Sequence, residues 1–173
     1  MTFTADQLAA FAAAMFRALG LPDDDARIVA RSLADANLAG HDSHGIIRVP
    51  QYAQAIEAGV LRGGVPLKIR SETPAVAVCD GGWGVGQVQA HRLLDLVMPK
   101  ARALGLAAGT LFQCGHIGRL GEYGERAGRE GLALIATVNN HGFGRAVAPP
   151  GGTVGRIGTN PLCLAVPAPE GPV

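Results

Sequence analysis

Lysine is almost missing from this sequence: of 15 basic side chains only Lys68 and Lys100 are lysines, so nearly all the positive charge is arginine. Fourteen acidic residues bring the net charge to +1, and no basic stripe or aromatic–arginine interleaving marks a nucleic-acid surface. Cysteine is scarce too. Cys79, Cys114 and Cys163 are odd in number, far apart and without metal-ligand spacing, which reads as reduced thiols in a cytosolic protein. No apolar run approaches the length of a membrane span. Met1 to Asp6 lack a charged n-region, so no signal peptide is expected and the expected location is cytoplasmic. No internal repeat is visible.

What is present is a globular composition. The chain has 173 residues, 48% hydrophobic and 17% charged, enough to bury a real core. Thr4 and Gln7 form a capping box ahead of Leu8, Phe11, Ala12, Met15 and Leu19 at helical spacing, and Gly20 ends that helix. Pro22 and Asp23–Asp25 open a second helix, with acids where the helix dipole favours them. Its apolar row runs from Ile28 to Leu38, and Gly40 stops it. A third helix is expected to open at Asp42–Ser43 and run to about Gly59. Residues 1–60 thus read as a three-helix unit with very short turns.

The pattern changes at Leu61–Pro66, a linker or extended crossing. A short strand is expected at Ala75–Cys79, stopped by Asp80-Gly81-Gly82. An amphipathic helix over 87–104 follows, with Pro99 expected to kink it. Further elements are expected as a strand over Leu106–Phe112 and a helix over Gly118–Glu130 with Glu122, Glu125, Arg126 and Arg129 exposed. The near-continuous apolar run Leu132–Val138 reads as a strand buried on both faces. Asn139–Gly158 is loop-rich, and Leu162–Val166 is a last strand.

The stretch Asp42-Ser43-His44-Gly45-Ile46-Ile47-Arg48-Val49-Pro50-Gln51-Tyr52 carries the densest chemistry. On one helix His44, Arg48 and Tyr52 fall at i, i+4 and i+8, in a single row. Arginine can grip a carboxylate through two parallel hydrogen bonds, and histidine can exchange a proton near neutral pH. A solvated helix face with a cap explains the same spacing. Cys114-Gly115-His116-Ile117-Gly118 places a histidine between a strand end and a helix start, where it can act as general acid or base or can simply cap the helix. Asn139-Asn140-His141-Gly142 and Gly158-Thr159-Asn160-Pro161-Leu162 are loops whose polar groups can bind a ligand or can serve as turn residues. Gly82-Trp83-Gly84-Val85-Gly86-Gln87 misses the dinucleotide fingerprint, because its third glycine would fall at Gln89. Neither lysine follows a P-loop glycine, and His41 and His44 lack the further ligands of a metal site, so none is expected.

Together, the Asp42–Gly45 motif with Arg48 and Tyr52, Gly115–Gly118, the Asn139-Asn140 loop, Ala148–Gly152 and Gly158–Leu162 resemble the type-2 malate/L-lactate dehydrogenase family. That family also includes ureidoglycolate, sulfolactate and cyclic-imine reductase members. The resemblance implies hydride transfer between NAD or NADP and a 2-hydroxy or 2-oxo acid, or a related cyclic imine, in a homodimer. It implies an α/β fold, with a helical domain over 1–62 followed by the first part of a non-Rossmann NAD(P)-binding domain over 63–173, incomplete at its C-terminus. His116 matches the proposed proton acceptor, and His44 matches a histidine that some members place beside the substrate. Arg48 matches the carboxylate ligand, with Ser43 and Tyr52 lining the site. His116, Asn140, Thr159 and Asn160 fall where the cofactor is contacted, while His141 departs from the pattern there. Family members continue beyond Val173. The expectation is therefore a truncated product or one fragment of a nicked or two-chain enzyme, with a second polypeptide supplying the other half and covering the open strand Leu162–Val166. The alternative is a non-catalytic binding or assembly fragment that keeps the family fold.

Overall fold

A computed structural model describes residues 2–140, 145–169 and 171; His141, whose expected departure lies in the second loop, is outside the described residues. The chain divides into two compact units, residues 1–119 and 120–173.

In the first unit, α1 (Ala5–Ala18) begins with the expected capping box, Thr4 and Gln7 bonding reciprocally. Helix α2 (Asp23–Leu38) follows, and its Asp25 turns inward while Asp23 and Asp24 pair with Arg27 at the surface. Helix α3 spans Val49–Glu57. These helices share one core around Phe16, Val29, Leu33, Val49 and Tyr52, joined by Val85 and Val88 from the start of α4 (Gly86–Leu104). Full burial of Phe16 alone contributes about 1.5–3 kcal/mol. Asp25 ties the two halves of this unit together: its carboxylate accepts from Arg92 of α4 (2.8 Å) and from the Gly64 amide (3.0 Å).

The sheet of this unit runs β1-β2-β3. β1 (Lys68–Glu72) lies antiparallel to β2 (Val76–Gly84), and β3 (Ala108–Cys114) is parallel to β2 after the α4 crossover. α4 lies close on β3, because a Cβ at Gly109 would sit 2.8 Å from Leu93 and 2.9 Å from Val97. The expected stop at Asp80-Gly81-Gly82 is instead a bulge. Residues 81–83 of β2 lie opposite Gln113 alone, between the pairs Asp80↔Phe112 and Gly84↔Cys114. Asp80 makes this possible: its buried carboxylate accepts from the Gly82 amide (2.7 Å) and from Arg70 (2.5 and 3.1 Å). The bulge holds Trp83 and Gln113 at φ 59° and 50°, positions that L side chains rarely adopt. β3 starts two residues later than expected, and α4 continues through Pro99 to Leu104 as one helix.

In the second unit α5 (Gly121–Arg129) packs on an antiparallel ribbon of β4 (Leu134–Thr137) and β5 (Leu162–Ala165). The packing is close: a Cβ at Gly124 would lie 2.6 Å from the Ala165 Cβ. Glu122, Glu125 and Arg126 are half-buried rather than exposed. The expectation that β4 is buried on both faces fails. Leu134 and Ala136 pair with Ala165 and Cys163 on one face, while Ile135 (76% exposed), Leu162 (61%) and Leu164 (64%) stay open on the other. The ribbon has α5 against one side, and among the described residues of this unit no helix covers the other.

Candidate active site

The site is built where α2, the turn before α3, α3 itself and the end of β3 converge. The single helix expected over 42–59 does not form. Two short 3-10 turns, Asp42–His44 and Ile46–Arg48, precede α3 and are separated by an extended Gly45 at φ −88°, ψ −154°. Asn37 of α2 causes the break. Its Oδ1 accepts the Ile46 amide (2.8 Å) and its Nδ2 donates to Asp42 (2.5 Å), so the backbone at Ile46 is bonded outside any helix. Gly45 makes room for this carboxamide, since a Cβ there would lie 2.7 Å from Asn37 Nδ2 and closer still to the rest of the amide.

His44, Arg48 and Tyr52 are therefore brought together by a folded turn rather than by a helical row. The Ser43 hydroxyl lies 2.9 Å from His44 Nδ1. Arg48 donates through Nε to the Ser43 carbonyl (2.5 Å) and through a terminal nitrogen to Gln51 Oε1 (2.6 Å), which fixes the plane of its guanidinium. Tyr52 is 2% exposed, and its hydroxyl lies 2.7 Å from His116 Nδ1. The rings of His44 and His116 stand 5.3 Å apart at 31°. His116 reaches this position because Gly115, bonded to the Gly84 carbonyl at 3.0 Å, ends the β2–β3 ladder. Gly118 then turns back with φ +74°, and its amide lies 3.3 Å from His116 Nδ1.

The electrostatics favour neutral imidazoles. Burial lowers the His44 pKa, with Arg48 and His41 adding to the effect. Burial, then the neighbouring His44 and Arg48, lowers that of His116 to about 4. His116 as a residue keeps an exposed side, and solvent there moderates the penalty of burial. Two neutral rings beside a fixed guanidinium make a cluster that attracts an anion, and an anion in turn offsets the charge that disfavours imidazolium. Cys114, two residues before His116, has its thiol pushed up to about 11 by burial, so at neutral pH it is no nucleophile. Among the described residues no three His, Cys, Asp or Glu side chains are grouped to hold a metal ion.

In the second unit Asn140, Thr159 and Asn160 are exposed. Asn140 lies close against Gly158, where a Cβ would fall 2.8 Å from the Asn140 Cβ, so the two loops meet without a side chain between them. Asn37 and Gln87 are the side chains near the site that spacing and motifs do not single out. Gln87 had a signal: it shares the inward row of α4 with Leu94 and Met98, a polar residue where the period calls for an apolar one.

A family model for malate/L-lactate dehydrogenases matches residues 3–173. This chain belongs to that family. Hydroxycarboxylate dehydrogenase B of Escherichia coli O157:H7 is 40% identical over 165 residues, covering 95% of this chain and 45% of that protein. The structure of malate dehydrogenase from Pyrococcus horikoshii OT3 superposes with a TM-score of 0.95 at 34% identity, over 99% of this chain and 49% of that one. Sulfolactate dehydrogenase from Methanocaldococcus jannaschii gives 0.92 at 33% identity, over 99% and 49%. The chain spans about half the length of the malate/L-lactate dehydrogenase relatives it matches. Its mixed α/β fold, with helices first and strands after, is the fold of those structures.

Proposed function

We propose that this chain carries the carboxylate-binding and proton-transfer groups of an NAD- or NADP-dependent oxidoreductase. Its substrates on this reading are 2-hydroxy and 2-oxo acids or related cyclic imines, and it works with the half of the family length that lies outside this chain. The observation behind the reading is the cluster of His116, His44 and Tyr52 beside the braced Arg48. Arg48 is the carboxylate ligand, aided by Ser43. His116 exchanges the proton of the hydroxyl or amine as the carbon is oxidised or reduced, with His44 against its face. Burial, and then His44 and Arg48, hold the His116 pKa below its ordinary value, and a bound carboxylate offsets the Arg48 share of that shift. On this reading residues 1–62 hold the substrate, and residues 63–173, which contribute His116, begin the cofactor-binding part.

Asn140, Thr159 and Asn160 fit a cofactor chemically, since they supply amide and hydroxyl groups on exposed loops packed across the bare Gly158. When bound, the nicotinamide donates or accepts the hydride. The test is turnover of NADH and NADPH by this chain combined with the remaining half, against a panel of 2-oxo acids and cyclic imines. Activity lost in Arg48→Ala is the expected result. Silence across the panel with both cofactors refutes the reading, and absence of cofactor binding by calorimetry then leaves an assembly fragment, for which the open apolar face of β4–β5 is the motivating feature.

A further inference from the structure

Arg48 is held in place without a counter-ion. Its side chain is half-buried, yet both groups that brace it are neutral: the Ser43 carbonyl accepts from Nε (2.5 Å) and Gln51 Oε1 from a terminal nitrogen (2.6 Å). A guanidinium only donates, so the end of the Gln51 amide that faces it is the oxygen. Elsewhere in this unit arginines that reach inward are held by buried carboxylates, Arg92 by Asp25 (2.8 Å) and Arg70 by Asp80 (2.5 and 3.1 Å). The turn does contain an acid, Asp42, the only one between residues 40 and 56, but its carboxylate accepts from Asn37 Nδ2. Among the described residues no carboxylate pairs with Arg48.

Local forces favour an acid at position 51. Gln51 is the third residue of α3, whose first turn holds no acid, while α1 and α2 carry Asp6 and Asp23–Asp25 there. The helix dipole stabilises a carboxylate at such a place, and a neighbouring arginine stabilises it further. Glutamate would accept from Arg48 as well as glutamine does, and it differs in one respect: it would cancel the positive charge. With His44 and His116 held neutral mainly by burial, Arg48 supplies the charge of the cluster, and a neutral brace leaves that charge whole for an incoming anion. Two of its N–H groups are spent on the braces, and the rest are left for a ligand.

We infer that Gln51 is a positioning residue whose neutral amide aims the Arg48 guanidinium without neutralising it, and so keeps its charge for a substrate carboxylate. The inference rests on Arg48 as the carboxylate ligand of the proposed function. Its test, however, needs no turnover.

The experiment titrates the chain with oxamate, a monoanionic analogue of a 2-oxo acid, and follows the nitrogen-15 signals of labelled His44 and His116 at neutral pH. The wild type shows saturable shifts. In Gln51→Glu the brace persists and the charge is lost, so Kd rises about tenfold or more, the weight of one opposing charge a few ångströms away near a protein surface. That deficit narrows as salt is added, and Tm does not fall, since the new acid suits its place in the helix. Gln51→Met keeps the charge and loses the brace, and Kd rises only about two- to fivefold, the weight of one hydrogen bond. A glutamine that merely braces gives the opposite order, with Gln51→Glu binding like the wild type and Gln51→Met worst, and that order overturns the inference. Weakened binding with a lower Tm in Gln51→Glu overturns it too, because the loss then belongs to damage. A wild type without saturable shifts refutes Arg48 as the carboxylate ligand, and the inference falls with it. Should the affinities order as stated while the dehydrogenase panel stays silent, the reaction assignment fails and the role of Gln51 stands.

Discussion

Gly86 packs directly against backbone behind the candidate site, and Gly86→Ala measures how firmly that site is held. An added Cβ would overlap the carbonyl oxygens of Gly115 and His116 and lie 2.5 Å from the His116 carbonyl carbon. Carbon atoms pack at about 3.5–4.0 Å, so α4 and the Gly115–His116 backbone must separate by roughly 1 Å. Overpacking of this kind costs about 1–3 kcal/mol, and Gly86 is the first residue of α4, where replacing a glycine gains little helix propensity. The net loss is about 1–3 kcal/mol, or a Tm lower by several degrees for a chain of this length. Gly105→Ala is the control. It sits at φ +83° with no atom within 4 Å of an added Cβ, so it loses about 1–2 kcal/mol to backbone strain alone. Urea denaturation and the His116 NMR signals of both variants are the assay. Both variants lose stability, but only Gly86→Ala shifts His116, whose 2.7 Å contact to Tyr52 cannot survive a 1 Å displacement intact. A Gly86→Ala protein within about 0.5 kcal/mol of wild type, with His116 unshifted, refutes the reasoning.

Arg48→Lys keeps the charge but loses the planar fork braced by Ser43 and Gln51, so KM for a carboxylate substrate rises strongly in the reconstituted enzyme; an unchanged KM removes Arg48 from the substrate site. Asp25→Ala strands Arg92 and the Gly64 amide and lowers unfolding free energy by about 2–3 kcal/mol, read by chemical denaturation; a loss below about 1 kcal/mol would show that solvent replaces the carboxylate. Acid destabilises the fold through His116. Its pKa of about 4 lies below the ordinary 6.5, so its contribution is complete above about 6.5 and is lost as pH falls toward 4, where the unfolded chain binds a proton the folded one refuses. The slope of Tm against pH in that window flattens in His116→Gln, and an unaltered slope assigns the acid sensitivity elsewhere.

The helical part of the fold is legible because its signals are local. The Thr4–Gln7 box, the acidic turn of α2 and the glycines after each helix act within a few residues. The break at Gly45 depends instead on Asn37, eight residues away, whose carboxamide outcompetes a helical hydrogen bond. β1 escapes notice because Lys68–Glu72 is polar apart from Ile69 and has every residue on the exposed side, with no alternation of burial to read. β4 misleads in the opposite way. Its composition is that of a buried strand, yet among the described residues it has one neighbour, β5, and one covered face. At the site, sequence motifs single out the histidines, Arg48 and Tyr52 by residue type. The Tyr52–His116 contact spans 64 positions, and no spacing rule reaches that far.

The bulge between β2 and β3 also bears on attempts to engineer this chain. Trp83 and Gln113 sit in left-handed backbone at about 1–2 kcal/mol each, and glycine would relieve either one. A screen for heat-resistant variants is therefore drawn to these two positions. They stand, however, at the strand ends that lead into Gly86 and Gly115, where α4 and His116 are spaced against each other without slack. Relaxing either residue alters that spacing. Thermal robustness and the alignment of the imidazole are thus set by the same few backbone angles and cannot be optimised separately.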